Sequence, residues 1–479
     1  MSKAVKHSCR AWQAILACQS GGRRLSWPGV SGYFGGSWPE GESGLSGEIA
    51  GVSPRIAARA ALKWGDPLCV CGTSNTDLSL HLIKVDRSTP RNIHCLVLSA
   101  VPVPVEFTTM SLTTPQARAT IDRLITNLIN IKDTTGKFLL HLEDGRIIDT
   151  KSWAGWEWTH GIGLYGIWKY HEITGDETLL KIIEDWFSAR LAEGTTKNIN
   201  TMAVFLTLAY VYEKTGNQTY LPWLDAWAEW AMHDLPRTPY GGMAHITYLS
   251  ENHHHQQLWD DTLMMTVMPL AKIGKLLNRP AYIAEAKRQF LIHIKYLFDA
   301  KTGLFFHGWE FNADQSTGAG HNFADARWAR GNSWVTIVIP EFIELLDLQP
   351  EDPIRVHLVD TLVAQVEALK RLQTEDGYWR TLLDHEDSYV ESSATAGFAW
   401  GILKAVRKRY ISGEYRAVAE KAIQAVLGKI DQDGELQNTS FGTGMGDSLD
   451  FYKQIPLTSM PYGQAMAQGA LVEWLRGTF

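Results

Sequence analysis

The sequence predicts an all-α protein of the (α/α)6 class, in which six helical hairpins close into a barrel with short β segments at the cavity end. Two observations predict this fold. About twelve amphipathic helical stretches follow residue 115, and they come in pairs whose joints look alike. Short strand-like segments with glycine-centred turns lie between the pairs.

The helical stretches can be placed from their apolar period and their boundary residues. We predict helices over 116–131, 160–174, 177–191, 200–215, 218–234, 258–278, 280–298, 328–347, 354–372, 393–410, 414–428 and 459–476. YHEITGDETLL at Tyr170 and YVYEKTGNQTYL at Tyr210 share one joint, and KLLNRPAYI at Lys275 resembles them more loosely. In each joint a glycine or asparagine ends one helix, and the following residues begin the next.

The strand-like segments and the inner helices favour a closed barrel. The segments are KFLLHLEDGRI, GGMAHITYL, GLFFHGWEF, DGYWRTLLD and DGELQNTSFGTG. An open solenoid has the same local signature but usually a shorter, stricter repeat and polar end caps. The stretches GIGLYGIW and TAGFAWGIL are apolar and glycine-rich, as expected for helices surrounded on all sides.

Residues 1–110 differ from the rest of the chain. They are rich in glycine, serine and proline without a sustained period, and VPVPVEF near residue 103 suits an extended linker. We expect an N-terminal extension that is disordered or weakly structured, with Met110 as a candidate natural start. Residues 111–479 are expected to form the barrel.

Composition excludes several classes of partner. A net charge of −7 argues against nucleic acid and anionic membrane surfaces as partners. No stretch approaches the ~20 consecutive apolar residues of a transmembrane helix, and WQAILAC is short for a signal core. All five cysteines precede residue 110, which suits a reducing compartment. We expect a cytoplasmic protein that is a monomer or a weak dimer.

Tryptophan marks a candidate sugar site. Fifteen of the 19 tryptophans follow residue 150, and they gather in motifs that begin at Trp153, Leu258 and Trp328. Aromatic platforms beside a few polar groups are typical of a cleft that binds a saccharide, although bulky aromatics also wedge helices together.

Two adjacent aspartates open the apolar stretch LWDDTLMM. Neighbouring helix residues point ~100° apart, so only one of Asp260 and Asp261 can face the cavity. The other can cap the helix. An aspartate held against Trp259, Leu263 and Met264 is expected to have a pKa raised by desolvation and to act as a general acid.

Histidines and an arginine accompany these aspartates. His245 and His307 occupy equivalent places in two strand-like segments, so both are expected near the same cavity mouth. The run His253–His255 lacks metal-ligand spacing and is expected to be a solvated loop, so we expect no metal.

In WARGNSW, Arg330 lies between Trp328 and Trp334, where its planar fork would match a uronate carboxylate. Pairing with Asp325 is the structural alternative. Asn200 begins another inner helix and either faces the cavity or caps the helix.

These motifs resemble glycoside hydrolase family 105, the unsaturated rhamnogalacturonyl hydrolases. The resemblance rests on WTHGIGLYGIWKYHEITGD, NINTMA, QLWDDTLMM, FFHGW, WARGNSW and ESSATAGFAWGILKAVR, and it spans residues 115–479. It implies an (α/α)6 barrel that removes a Δ4,5-unsaturated galacturonyl residue from the non-reducing end of rhamnogalacturonan-derived oligosaccharides. The reaction implied is hydration of the C4=C5 double bond, which needs no cofactor.

The resemblance also implies roles for single residues. Asp261 matches the catalytic aspartate, because the place of Asp260 is commonly apolar in the family. His307, Trp328, Arg330 and Trp334 are expected to hold the uronate and its neighbouring sugar, and His245 a further subsite. Many relatives have an aspartate where this chain has Asn200, which puts any role needing a charge there in doubt.

Two alternatives remain open from the sequence. One is an unsaturated glucuronyl hydrolase acting on other lyase products, which shares the chemistry and differs in the leaving sugar. The other is a carbohydrate-binding protein without catalysis.

Overall fold

The computed structural model describes residues 69–70, 81–84, 94–97, 112–141, 145, 147–247, 254–312 and 319–478. The chain divides into two compact units, Met1–Thr108 and Thr109–Phe479. The described part of the first unit is a three-stranded antiparallel sheet. Its central strand His81–Lys84 pairs with Cys69–Val70 and with His94–Val97. The rest of the extension predicted over residues 1–110, including its linker, lies outside the described residues.

The second unit contains six inner and six outer helical segments. The inner segments are Trp158–Thr174, Thr201–Val204 continuing into Phe205–Thr215, Leu263–Val267 continuing into Met268–Leu276, Ala329–Leu346, Ser392–Arg407 and Pro461–Arg476. The outer segments are Thr114–Asn130, Glu177–Glu193, Gln218–Tyr220 with Leu221–Glu229 and Trp230–Asp234, Pro280–Leu297, Pro353–Leu372, and Gly413–Tyr415 with Arg416–Leu427. A short helix that the sequence did not predict spans Leu449–Lys453.

The predicted joints have the expected geometry. Gly175 and Gly216 each end a helix with a left-handed φ, of 67° and 66°. Asp176 and Asn217 then cap the next segment, accepting hydrogen bonds from the backbone N–H groups of Thr178 and Thr219. The sequence fragments TGD and TGN therefore encode the same turn twice.

The inner segments form a closed ring. Each contacts the next along the chain, and the last, Pro461–Arg476, contacts the first, Trp158–Thr174. The first outer helix, Thr114–Asn130, also packs against Pro461–Arg476, so the two ends of this unit complete the sixth hairpin. The prediction of an (α/α)6 barrel is confirmed, and the open solenoid is excluded.

Short strand pairs lie beside the starts of the inner segments. They are Leu139–His141 with Ile147–Asp149, Phe298–Asp299 with Leu304–Phe305, Trp379–Arg380 with Val390–Glu391, and Thr439–Ser440 with Leu457–Thr458. A three-stranded sheet joins Gly308–Phe311 to Gln257–Trp259 and Gly320–His321. Because residues 257–259 belong to this sheet, the helix predicted from residue 258 begins only after it.

Charged pairs occupy the ends of the inner segments away from the strands. Lys404 Nζ lies 2.6 Å from Glu341 Oε2, and Lys169 Nζ lies 3.7 Å from the same oxygen. The Tyr165 hydroxyl donates to this carboxylate at 2.8 Å. Burial alone would raise the pKa of Glu341, but the two lysines hold it at about 2. A cavity of about 710 Å³ opens here, and its walls are mostly such pairs.

Hydropathy adds one finding about the described residues. None of their helices combines the length and the apolar character that crossing a membrane requires.

Candidate active site

A cavity of about 250 Å³ lies where the inner segments begin. Its lining combines aromatic rings, histidines and carboxyl groups with a glycine-rich loop. The residues are Ile148, Asp149, Thr150, Glu157, Trp158, Thr159, His160, Asn200, His245, Thr247, His254, Trp259, Asp261, Trp328, Arg330, Phe441, Gly442, Thr443, Gly444, Met460 and Tyr462. Helix N-termini converge here, and their partial positive charge favours an anionic ligand.

Asp261 is the aspartate that faces this cavity. Its side chain is 16% exposed, and Oδ2 lies 3.4 Å from Nε2 of His307. Arg330 lines the same cavity. The predicted grouping of Asp261 with His307 and Arg330 is therefore present in the structure.

Asp260 turns away from the cavity and is 0% exposed. Within the described part of the chain, its carboxyl oxygens have no hydrogen-bond partner beyond positions 260 and 261 themselves. The backbone of Gly331 packs against the carboxyl group, and a Cβ at position 331 would collide with both oxygens. The glycine of WARGNSW thus makes room for Asp260, which does not cap the helix.

The pKa values of the two aspartates differ from the expectation. Burial raises the pKa of Asp260 well above its usual range, and the neighbouring charge of Asp261 raises it further. Burial also acts to raise the pKa of Asp261, but its contact with His307 and the positive charge of Arg330 outweigh burial and lower it. The prediction of a raised pKa at Asp261 is therefore wrong, because sequence reasoning counted desolvation without these partners.

His307 is held in place from its other side. Nδ1 lies 2.8 Å from the hydroxyl of Tyr452, which accepts a hydrogen bond from the backbone N–H of Gly446 at 3.2 Å. If Tyr452 donates to Nδ1, the proton of a neutral imidazole sits on Nε2 and points at Asp261. Burial lowers the pKa of His307, which favours the neutral ring.

His245 lies on the opposite side of Trp259. The two rings stack with centroids 4.1 Å apart and planes 6° from parallel, and Nδ1 lies 2.9 Å from Oγ1 of Thr262. Burial lowers the pKa of His245 to about 3. His254 also lines the cavity, with Nδ1 3.3 Å from the carbonyl oxygen of His245. His254 and His255 lie in a loop as predicted, with His255 exposed, and His253 lies outside the described residues. The sequence did not predict that His254 also lines the cavity.

Arg330 anchors the glycine-rich loop. Nη1 donates to the backbone oxygen and the hydroxyl of Ser440 at 2.8 and 2.6 Å. Nη2 donates to the Phe441 oxygen and the Thr443 hydroxyl, both at 3.1 Å. The prediction that both Nη atoms of Arg330 are free to bind a carboxylate is therefore wrong. The alternative, a pair with Asp325, is not formed either. The fixed positive charge remains at the cavity wall.

The tryptophans of WARGNSW have different positions. Trp328 lines the cavity and holds the guanidinium of Arg330 4.6 Å from its ring centroid. Trp334 is 0% exposed and meets the edge of Trp158 at 5.9 Å, so it supports the cavity wall from behind. Trp158 and Tyr462 stack at 4.6 Å and provide the aromatic surface in front of it.

Asn200 faces the cavity and does not cap its helix. Its side chain is hydrogen-bonded to the carboxyl group of Glu157. Burial raises the pKa of Glu157 to about 8, and the hydrogen bonds from the Trp158 backbone and Asn200 only partly oppose this. Glu157 thus adds a carboxyl group to the cavity besides those of Asp261 and Asp149, and it precedes a different inner segment from Asp261.

Comparisons with known proteins identify the family. The Glycosyl Hydrolase Family 88 profile matches residues 130–478. The unsaturated rhamnogalacturonyl hydrolase YesR of Bacillus subtilis is 30% identical over 324 residues, which are 67% of this chain and 90% of that protein. A crystal structure from Salmonella enterica serovar Paratyphi A, described as a possible member of family GH105, is 62% identical. It matches with a TM-score of 0.74 and covers 77% of this chain and 96% of that one.

The chain belongs to glycoside hydrolase family 105. It is a glycosidase of the unsaturated rhamnogalacturonyl and glucuronyl hydrolase group. The unsaturated glucuronyl hydrolase of Bacillus sp. GL1 shares the fold, with a TM-score of 0.58 at 16% identity. That match covers 76% of this chain and 97% of that one.

Three side chains of this hydrolase could together offer ligand atoms to a cation. Atoms of Asp260, Asp261 and His307 all lie within 4.8 Å of one another. The pKa of Asp260 is raised, so a metal ion at this place would have to displace a proton that the carboxyl group binds more tightly than a free aspartate does.

Several residues that line or support the cavity were not predicted from the sequence. Glu157 lies within the motif that begins at Trp153, where the tryptophans alone were read as a signal. Tyr462 lies at the start of an inner segment, and Tyr452 reaches His307 across 145 residues. The signal that could have found the first two is their repeat position, since every inner segment starts at the cavity. Nothing local to the sequence marks Tyr452.

Proposed function

We propose that this hydrolase removes a Δ4,5-unsaturated galacturonyl residue from the non-reducing end of rhamnogalacturonan-derived oligosaccharides by hydrating the C4=C5 double bond. Similarity to YesR, over 90% of that protein's length, supports the substrate class. The observation that carries the chemistry is the placement of Asp261. It is a cavity-facing carboxyl group beside a buried histidine and a fixed arginine charge.

The reaction proceeds in three steps. Asp261 delivers a proton to C4 of the enol ether, which leaves positive charge on C5 and the ring oxygen. Water adds at C5 and gives up a proton, which returns to the enzyme. The hemiketal then opens and releases the neighbouring sugar. No carboxylate pair flanking the anomeric carbon is needed, unlike in a retaining or inverting glycosidase.

The other cavity residues bind and orient the sugar. The charge of Arg330 and the helix N-termini attract the uronate carboxylate. Trp158 and Trp328 offer apolar faces to the rings, and His245 offers a ring nitrogen to a hydroxyl group. His307 does not line the cavity, so it acts through Asp261 and not by holding the uronate as expected. Trp334 acts indirectly by supporting Trp158.

Asn200 and Glu157 extend this polar surface. An amide can orient a hydroxyl group or the attacking water without carrying a charge. Hydrogen-bonded to Asn200, a protonated Glu157 adds a donor that an aspartate at position 200 would not supply.

The test compares lyase digests of rhamnogalacturonan, ulvan and glycosaminoglycans as substrates. We expect the ultraviolet absorbance of the unsaturated uronide to disappear fastest with the rhamnogalacturonan digest. A saturated galacturonide of the same linkage should stay intact, because it has no double bond to hydrate. Cleavage of the saturated compound would refute hydration, and preference for another digest would refute the galacturonyl assignment.

The residue assignment needs a matched pair of variants. Asp261→Asn keeps the shape of the side chain and removes the proton donor, so turnover should fall by at least ~100-fold. Asp360→Asn makes the same change at an exposed position on the outer helix Pro353–Leu372 and should leave turnover intact. An active Asp261→Asn enzyme with normal binding would remove Asp261 from this role.

A further inference from the structure

The lowered pKa of Asp261 leaves the source of the catalytic proton open. A group that is ionised across the neutral range is a poor acid on its own. The proton must therefore be held close by, on a group that can pass it to Asp261.

Among the described residues, the titratable side chains that interact with the two aspartates include His307, His245, Arg330 and Tyr452. Burial lowers the pKa of both histidines, so neither holds an extra proton at neutral pH. The Nη atoms of Arg330 donate to the loop at 440–443. Burial raises the pKa of Tyr452, whose hydroxyl is engaged with His307.

Asp260 is the remaining candidate. It is 0% exposed and lies against Gly331. Backbone amides at positions 260 and 261 lower the pKa of its carboxyl group, but burial and the neighbouring Asp261 outweigh them. Its carboxyl group and that of Asp261 come within 4.8 Å together with Nε2 of His307. Two carboxyl groups this close cannot both ionise readily, so one proton stays between them.

We propose that Asp260 and Asp261 share a single proton, and that Asp260 is the positioning residue that stores it for protonation of the substrate. This inference rests on the proposed function. Asp260 acts only through Asp261, because it does not line the cavity.

The proposed cycle returns to the aspartate pair the proton that it uses. The O–H bond of Asp260 breaks as a proton passes to an oxygen of Asp261, which in turn gives a proton to C4. The pair then carries one more negative charge, opposite the positive charge on C5. When water adds at C5, its released proton returns through Asp261 to the pair, and no other reactant is consumed.

A proton shared by Asp260 and Asp261 predicts a specific pH dependence of kcat/KM. The singly protonated pair is the active form, so activity of the wild type declines only when pH rises through the raised pKa of the pair. In Asp260→Asn the lone Asp261 has a lowered pKa, and the alkaline limb of kcat/KM should move to lower pH. At pH 7, kcat/KM falls about tenfold for each pH unit that the limb moves. Activity near the new acid optimum should stay within a few-fold of the wild type.

A spectroscopic readout makes the test independent of turnover. Infrared titration of the wild type should show the carbonyl stretch of a buried protonated carboxyl group at neutral pH, and Asp260→Asn should lack it. Glu157→Gln identifies the separate signal of Glu157, and Asp360→Asn is the control for substitution at the surface. If Asp260→Asn fails to fold, titration of the wild type against Glu157→Gln still tests for the second protonated group.

The outcomes separate the two proposals. A shifted alkaline limb together with the lost infrared signal supports the shared proton. A superimposable pH profile overturns it, as does an ionised Asp260 at neutral pH. Loss of activity on chelation that a divalent cation restores would also overturn it, because the ion would occupy the place of the proton. If the wild type hydrates no unsaturated uronide, the proposed function fails, while the infrared titration still decides the pair.

Discussion

Glu157 allows a prediction in which removing a charge stabilises the protein at high pH. Its carboxyl group lines the cavity, and burial raises its pKa from 4.5 to about 8. The folded state therefore binds the proton more tightly than the unfolded state does. Protonated Glu157 therefore contributes to the free energy of unfolding. This contribution is fully present below pH 4.5, declines as pH rises, and is lost above about pH 8.

The size of the effect follows from the pKa. At about 1.4 kcal/mol per pKa unit, the difference between 4.5 and 8 corresponds to roughly 5 kcal/mol. The side chain is half-buried and meets cavity water, so screening reduces this value. We expect Glu157→Gln to match the wild type at pH 4.5 and to be more stable by about 2–4 kcal/mol at pH 9, because glutamine keeps the shape without ionising.

Urea unfolding of the wild type and Glu157→Gln at both pH values measures the difference. Glu375→Gln is the matched control, since Glu375 is exposed and the same substitution there should change little at either pH. An equal difference in the free energy of unfolding at pH 4.5 and pH 9 would refute the reasoning, because it would mean that Glu157 ionises normally in the folded protein.

Three further predictions concern the supports of the site and the barrel. Gly331→Ala should destabilise the fold by about 1–3 kcal/mol and reduce turnover, because the new Cβ collides with the Asp260 carboxyl group. The control in urea unfolding and kinetics is Gly413→Ala, since Gly413 has open space around it. Glu341→Gln removes the buried anion from Lys404, which keeps Glu344 as a partner, so the cost should be about 2–3 kcal/mol of unfolding free energy, below the ~3–5 kcal/mol of a fully unpaired buried charge. Glu193→Gln breaks only an exposed pair with Arg190 and should cost under ~1 kcal/mol, so equal losses would count against the buried network. Tyr452→Phe removes the hydroxyl that faces His307 Nδ1. Loss of one hydrogen bond should lower kcat by up to about tenfold, while circular dichroism should show that the fold is retained. Unchanged kinetics would show that the ring of His307 is held by packing alone.

Local sequence signals determined the helices, because a turn is a short-range event. Gly175 and Gly216 end their helices through a left-handed φ. Asp176 and Asn217 follow directly and cap the next helical segment. These signals need no distant partner. The helix predicted from residue 258 is the exception, because Gln257–Trp259 pairs with Gly308–Phe311, a strand some 50 residues away.

Part of the cavity lining was predictable from the sequence, but Trp334 and His307 do not line the cavity, and the electrostatics were not predictable. Helical geometry alone required that only one of Asp260 and Asp261 face the cavity, and Asp261 does. The sequence could not assign the raised pKa, since that depends on which carboxyl group lies beside His307 and Arg330. Likewise, only the folded loop at 440–443 shows that the fork of Arg330 is already occupied.

The amino-acid order by itself therefore determined the periodic pattern: where helices begin and end, which faces are apolar, and which polar residues start the inner segments. These properties depend on residues within a few positions of one another. Tertiary structure alone decided how the ring closes and which residues become neighbours across it. It also decided which of two adjacent carboxyl groups has a raised pKa and which a lowered one. The physical reason is that desolvation and charge act through space, and the partners that set them are brought together only when the first and last helices of the barrel meet.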